Sequence, residues 1–422
     1  MGTAVNISTI LPALEQLSSG GLRDQFEQEG PTYTMFGNGT APFVNGKGWR
    51  IPSYLRPPTG VSGIAEGGSF NQPSTETLDD MYVSPMNMTM AFEITGRALR
   101  NAEDSSSLIK GFKGILELRT MALKKECNRQ MYNDGSALRG IYFSNSSGVL
   151  TLYNAVDHTP LANFGSTKGG MHMEVNESYD WYDSTLATYR TTIRPSARSA
   201  KTITVAAAAV PGGATQGDIL LLSNSLFKVP RGFAYLINND TGIFQLQSRS
   251  TYPQLRSVVE DLNNASITVS TFSKVKRHLE ARAGMGKAKT VVAILGEAQD
   301  DALCRLGQNF KRWTGDAKTF DGSFDEFKHG DTVTKKDPDC DEDRIYLVVA
   351  SEIKRYKEKE FGLFDEDGNQ IRMRSGVAGY GSDAWTGALG VFHNFGTEEP
   401  RCLALIKRAN CTGLATQVGA NV

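Results

Sequence analysis

"FEITGRALRNAEDSSSLIKGFKGILELRTMALKKECNRQMYNDGSALRG" (Phe92–Gly140) runs from a strand-like segment into the longest helical pattern of the chain. Asp104 to Ser107 offers N-cap candidates. Leu108, Phe112, Ile115, Leu116, Ala122, Leu123, Cys127 and Met131 then form an apolar stripe at helical spacing, with Lys110, Lys113, Lys124 and Lys125 assigned to the polar face. Gly135, after Asn133-Asp134, supplies a stop. At 1.5 Å per residue, a helix from Leu108 to Met131 is roughly 35 Å long, about the width of a small domain.

On the N-terminal side, "GWRIPSYLR" (Gly48–Arg56) places Trp49, Ile51 and Leu55 on one face at period two. "MNMTMAFEI" (Met86–Ile94) does the same with Met86, Met88, Met90, Phe92 and Ile94. Between them, "PPTGVSGIAEGGSFNQPSTE" (Pro57–Glu76) is rich in glycine and proline and has too few large apolar groups to build a core. Such a coreless loop inside a domain is usually functional or reaches for a partner. Residues 1–40, with "LSSGGLRDQFEQEG" (Leu17–Gly30), read as an extended arm.

On the C-terminal side, residues 141–225 break into short β runs such as "GVLTLYNAV", "TYRTTIRP" and "ILLLS", which predict a small antiparallel sheet or barrel. The pattern then turns mixed. Phe272, Val275 and Leu279 sit at helical spacing, "TVVAILG" reads as a buried strand, and "EAQDDALCRLGQNF" as a helix. "RIYLVVAS", "LGVFHNF" and "RCLALIKR" return to strands. The class this implies is α+β with segregated parts.

Composition excludes several functions. The chain has 422 residues, 40% hydrophobic and 22% charged, enough apolar material for two or three domains. Lys+Arg 45 against Asp+Glu 46 gives a net charge of -1, so no global excess of basic charge draws the chain to nucleic acid or an anionic membrane, and any DNA contact should be local and weak. Cys127, Cys304, Cys340, Cys402 and Cys411 lie far apart without a CxxC pair, which fits free thiols in a reducing compartment. The N-terminus "MGTAVNISTILPALEQL" carries neither a basic n-region nor a long apolar run, so synthesis in the cytoplasm is expected.

No motif carries catalytic chemistry. "GMGKAKT" (Gly284–Thr290) lacks P-loop spacing, which leaves a phosphate-handling enzyme using Lys287 as a poorly supported rival reading. "DPDCDEDR" (Asp337–Arg344) alternates aspartates as a calcium loop might, but Val348 stands where a bidentate Glu is needed. "DEDGNQ" (Asp365–Gln370) reads as a hairpin turn. The five histidines (His158, His172, His278, His329, His393) sit in unrelated contexts, and Gly-x-Ser-x-Gly is absent. No enzyme activity, cofactor or metal is expected.

The order of arm, coreless loop, long helix, small β region, mixed domain and terminal strands resembles the major capsid protein of tailed bacteriophages, the Hong Kong 97-like fold. "MNMTMAFEITGRALRNA", "ECNRQMYNDGS", "TGIFQLQSRSTYPQLRS", "DPDCDEDRIYLV" and "FGLFDEDGNQIR" with "GALGVFHNF" carry the resemblance. It implies an N-terminal arm (1–40), an extended two-stranded loop (41–90), a peripheral domain with a spine helix (91–140), a small β subdomain (141–225), an axial domain (226–384) and peripheral C-terminal strands (385–422). It further implies self-assembly through hexamers and pentamers into an icosahedral virion shell around double-stranded DNA, assembled in the host cytoplasm without a membrane. Separate scaffolding, portal and decoration proteins are the candidate partners. An encapsulin-type bacterial nanocompartment is the alternative within the same fold. Arg50 and Arg56 on the outgoing strand, with Glu66, Glu76, Asp79 and Asp80 beyond the tip, are the candidate inter-subunit contacts. No pro-segment is expected before the arm. No covalent cross-link is expected either, because Arg56 to Asp80 contains no lysine and Lys47 is the sole lysine before the spine helix.

Overall fold

The computed structural model describes residues 30–56, 63–64, 66–69, 77–95, 105–153, 169–170, 172–199, 201–288, 290–308, 328–329, 332–363, 371–375 and 381–410. The spine helix spans Ser105–Gln130. Leu123, Cys127 and Met131, four residues apart, are 2%, 0% and 0% exposed and form its core-facing stripe. Side chains before Glu117 lie outside the described residues. The helix is succeeded by a tight turn in which Met131, Tyr132 and Asn133 donate to the carbonyls of Asn128, Arg129 and Gln130. Gly135 then takes φ 99°, the left-handed geometry its position as a stop requires.

Gly48–Arg56 is a strand, but its partner is not Met86–Thr95. It pairs with Thr77–Val83 in the register Trp49↔Val83, Ile51↔Met81, Pro52↔Asp80. The sequence reading missed that strand because Asp79 and Asp80 are poor strand formers, although Met81 and Val83 alternate into the core at 0% and 2% exposure. Gly48 closes the hairpin base at φ 104°, where a Cβ would stand 2.2 Å from the Val83 carbonyl. Met86–Thr95 runs instead antiparallel to the 17-residue strand Gly381–Thr397, which also pairs Ile353–Leu363 and Ile371–Ser375. Only Ser84 and Pro85 separate the hairpin from this second sheet.

The β region is a seven-stranded antiparallel sheet drawn from Leu138–Ser146 through Ile219–Leu222. It has its own core of Tyr142, Leu152, Tyr179, Trp181 and Ile203. Trp181 Nε1 donates to the buried Asp218 at 3.0 Å, and Arg190 pairs with the same carboxylate at 2.9 Å. The burial of this acid is thereby compensated.

A six-stranded mixed sheet runs in the order Val258–Asp261, Leu403–Lys407, Ile345–Val349, Val291–Leu295, Thr332–Lys336, Lys328–His329. Leu403–Lys407, expected among the peripheral strands, therefore joins strands from the 226–384 region and crosses the boundary set at 384/385. Four of its five residues are buried, as a strand covered on both faces requires. One face, with Ala293, Leu295, Leu347 and Ile406, packs against Phe272, Val275 and Leu279 of the helix Val269–Ala283. The other, with Ile294, Tyr346, Val348 and Leu405, joins the core that receives the spine helix and the hairpin. The architecture is α+β, as the sequence pattern implied.

Candidate assembly surfaces

The hairpin projects from a firm base. Trp49, Ile51, Leu55, Met81 and Val83 enter the main core, where Trp49 packs on Tyr356 at 5.9 Å between ring centroids. On the opposite face Arg50 Nε lies 2.7 Å from Asp80 Oδ2, and hydrogen bonding to that carboxylate raises the guanidinium's pKa. Asp79 accepts the N–H of Asp80 at 2.8 Å. Glu66 is exposed, close in sequence to Ile64, an exposed large apolar residue. The Arg56 side chain and Glu76 lie outside the described residues. Of the six residues singled out, then, the structure joins Arg50 to Asp80 within the chain.

A second surface lies beside the hairpin base and carried no sequence signal. Ile243 and Leu246, 68% and 56% exposed, flank a turn in which Gln245 and Leu246 hold φ of 47° and 67°. Bulky residues rarely adopt that left-handed conformation. Tyr82 N–H donates to the Gln245 carbonyl at 3.0 Å and Gln247 Nε2 to the Asp80 carbonyl at 2.8 Å, so the turn is tied to the hairpin.

The acidic stretch with the calcium-loop alternation forms a buried joint at the end of the spine helix. Asp337 and Asp339 are 1% and 9% exposed. Asn128 Nδ2, from the end of the spine helix, donates to Asp337 at 3.1 and 3.2 Å and to Asp339 at 2.8 Å. Tyr132 adds a bond to Asp337 at 2.7 Å, and the Thr32 hydroxyl a further one. Asn128 Oδ1 accepts the Tyr33 N–H at 2.9 Å, so one amide joins the spine helix, the acidic turn and the chain entering at Gly30. Burial raises the Asp339 carboxyl above its ordinary range, against the pull of Arg129 and Asn128. Arg344 lies 3.7 and 3.8 Å from Asp341 and Asp343. These carboxylates are engaged by protein donors, an arrangement suited to a structural joint.

Beside it, Glu126 meets Arg139 at 2.5 Å and Arg129 at 3.6 Å. Burial opposes ionisation of Glu126, yet the two guanidinium groups hold its carboxyl below the usual range. Lys287 is likewise committed: its Nζ is 3.0 Å from both Glu352 and Glu399. Those two acids with Cys402 form a cluster of metal-ligand type, but the lysine ammonium supplies the compensating charge there. Burial pushes the Cys402 thiol up to about 12, far from a reactive thiolate. Cys127, Cys304 and Cys340 are also free thiols. Among the described residues no helix is long and apolar enough to cross a membrane.

No family model matches the chain, and no curated protein matches it. Solved structures do. The cyanophage A-1(L) capsid asymmetric unit superposes with a TM-score of 0.54 at 12% identity, covering 92% of this chain and 95% of that one. The capsid of the native GTA particle gives 0.49 at 7% identity, over 92% and 93%. Mycobacterium phage Bobi gives 0.42 at 9%, over 96% and 99%. Over 92% of its length this chain thus shares the fold of the cyanophage capsid structure, a Hong Kong 97-like α+β fold.

Proposed function

We propose that this chain is the major capsid protein of a tailed phage, a subunit that self-assembles into the icosahedral shell around a double-stranded DNA genome. The observation that carries the reading is the fold shared with the cyanophage capsid subunit along 92% of the chain. A hairpin whose tip residues 63, 64 and 66–69 are all exposed supports it, because such a projection buries surface only against a neighbour. The role is structural rather than catalytic, exercised in the virion after assembly in the host cytoplasm. The domain division is proposed in the same spirit: an axial unit around the six-stranded sheet, and a peripheral unit of spine helix and long antiparallel sheet. Near-neutral charge suits a lining that confines DNA without gripping it.

Electron microscopy of the purified protein tests this directly. Closed shells built from hexamers and pentamers are the expected result, and monomer under all salt and concentration conditions would contradict it. Particle contents separate DNA packaging from the protein cargo of an encapsulin-type shell.

A further inference from the structure

Among the described residues the strand Met86–Thr95 pairs with Gly381–Thr397 on one side and with no strand on the other. Arg119 Nη1, from the spine helix, donates to the Ala91 carbonyl at 2.6 Å, so that carbonyl points out of the sheet edge towards the helix. Backbone groups alternate in direction along an antiparallel strand, and those of Asn87 and Thr89 therefore share this open side. Asn87, Thr89 and Ala91 are all exposed.

A cleft of about 930 Å³ runs along this edge, walled by the strand, by the spine helix and by the segment that follows the β region. Met86, Met90 and Met121 line it together with Leu118 and Phe227, which are 38% and 54% exposed. Phe227 holds φ 56°, a conformation bulky residues rarely adopt. An open, apolar edge of this length is a template for a further strand, and folded proteins normally cover it. Unbranched methionines adapt to the side chains such a strand would bring. Lys125 and Lys228 face Glu174 and Glu177 across the lining, so the cleft selects neither a basic nor an acidic occupant.

We propose that residues 3–10 of this same chain, "TAVNISTI", add a strand to the open edge of Met86–Thr95 and close the cleft. The segment lies outside the described residues. Thr3, Val5, Ile7, Thr9 and Ile10 are β-branched, no charged side chain falls among them, and Pro12 ends the run. At period two Val5 and Ile7 share the face that meets the methionines, while Ala4, Asn6 and Ser8 continue the exposed face of Asn87 and Thr89. The tether is long enough. Gly30, the first described residue, lies against Asn128, where an added Cβ would stand 3.1 Å from the Asn128 Cβ. Arg119 to Asn128 is about 13 Å along the helix axis, and residues 11–29 can span roughly 60 Å. A tethered segment also meets its site at high effective concentration. The inference stands independently of the shell reading.

The test is hydrogen exchange on unassembled subunits of the full chain, resolved to single amides by electron-transfer fragmentation. Asn87 and Thr89 N–H should be protected in the parent. Ile7→Pro removes a strand donor and should speed their exchange about tenfold or more, while the Met88 N–H, which faces Gly381–Thr397, stays protected. Val5→Lys with Ile7→Lys keeps the backbone donors but sets charge against the methionines, and should act alike; it decides the matter if the proline variant does not melt cooperatively. Ile7→Val should exchange as the parent does. Rapid exchange at Asn87 and Thr89 in the parent overturns the proposal, as does undiminished protection in the double lysine variant. Protection that fades on dilution of the parent assigns the added strand to a second copy and overturns it too.

Discussion

Asn128→Ala should unfasten the joint between the spine helix, the acidic turn and the incoming chain. The amide has two hydrogens, shared among Asp337 and Asp339 at 2.8–3.2 Å, and an oxygen that accepts the Tyr33 N–H at 2.9 Å. The variant therefore loses two charge-assisted bonds and one neutral bond at a fully buried position. Asp337 keeps Thr32, Tyr132 and the Asp339 N–H, whereas among the described residues Asp339 keeps only the more distant Arg129 at 3.7 Å. With charged bonds worth about 1.5–3 kcal/mol and partial rescue by the remaining donors, the loss should be about 3–5 kcal/mol. In a chain of this size that lowers the melting temperature by about 3–6 °C. The sign with pH follows from Asp339. Its carboxyl already sits above the ordinary value because of burial, and losing Asn128 raises it further. Such a group favours the fold below the unfolded value near 3.9 and loses that contribution as pH rises through the folded value. The deficit should thus be largest at neutral pH and shrink towards pH 4. Calorimetry of unassembled subunits at both pH values measures it. A loss under about 1 kcal/mol, or a deficit that grows on acidification, would refute the role given to Asn128.

Glu126→Gln leaves the buried Arg139 without its carboxylate and should cost about 3–5 kcal/mol in urea unfolding; because the Glu126 carboxyl lies below its ordinary value, the parent's advantage is present above pH 4.3 and fades as pH falls through the folded value. Arg50→Glu with Arg56→Glu should reduce particle yield in assembly assays while circular dichroism stays unchanged, and the swap Arg50→Glu with Asp80→Arg should recover any share due to their in-chain pair. Ile243→Asp with Leu246→Asp should leave subunit melting within about 0.5 kcal/mol, as exposed positions allow, yet lower shell yield. Boiled mature particles should run as one monomer band on a denaturing gel, since Lys47 lies over the Tyr82 ring at 5.0 Å, at the base of the hairpin; a ladder surviving reducing agent would contradict this.

Periodicity made much of the fold legible. The stripe ending in Leu123, Cys127 and Met131, the alternation of Trp49, Ile51 and Leu55, and the Phe272–Val275–Leu279 face all follow from local spacing that burial then obeys. What escaped was non-local or disguised. Thr77–Val83 hid behind two aspartates, and Leu403–Lys407 could be read as a strand but not assigned to a sheet. Nothing in the sequence links Asn128 to Asp337, 209 positions apart, so the acidic turn looked like a weak metal loop. The alternation of Met86, Met88 and Met90 is in plain view, but only the fold shows which edge of that strand goes unpaired among the described residues.

The two-residue connection at Ser84 and Pro85 has a mechanical consequence. Proline restricts its own backbone, and Asn394 Nδ2 clamps the Ser84 carbonyl at 2.7 Å while its Oδ1 receives the Arg231 N–H at 2.8 Å. The hairpin is thereby a lever with a locked fulcrum, rooted in the 17-residue strand that spans the long sheet. If copies of this chain must sit at differing curvature, the joint offers little compliance. The angular difference then has to be taken up where one molecule slides on the next.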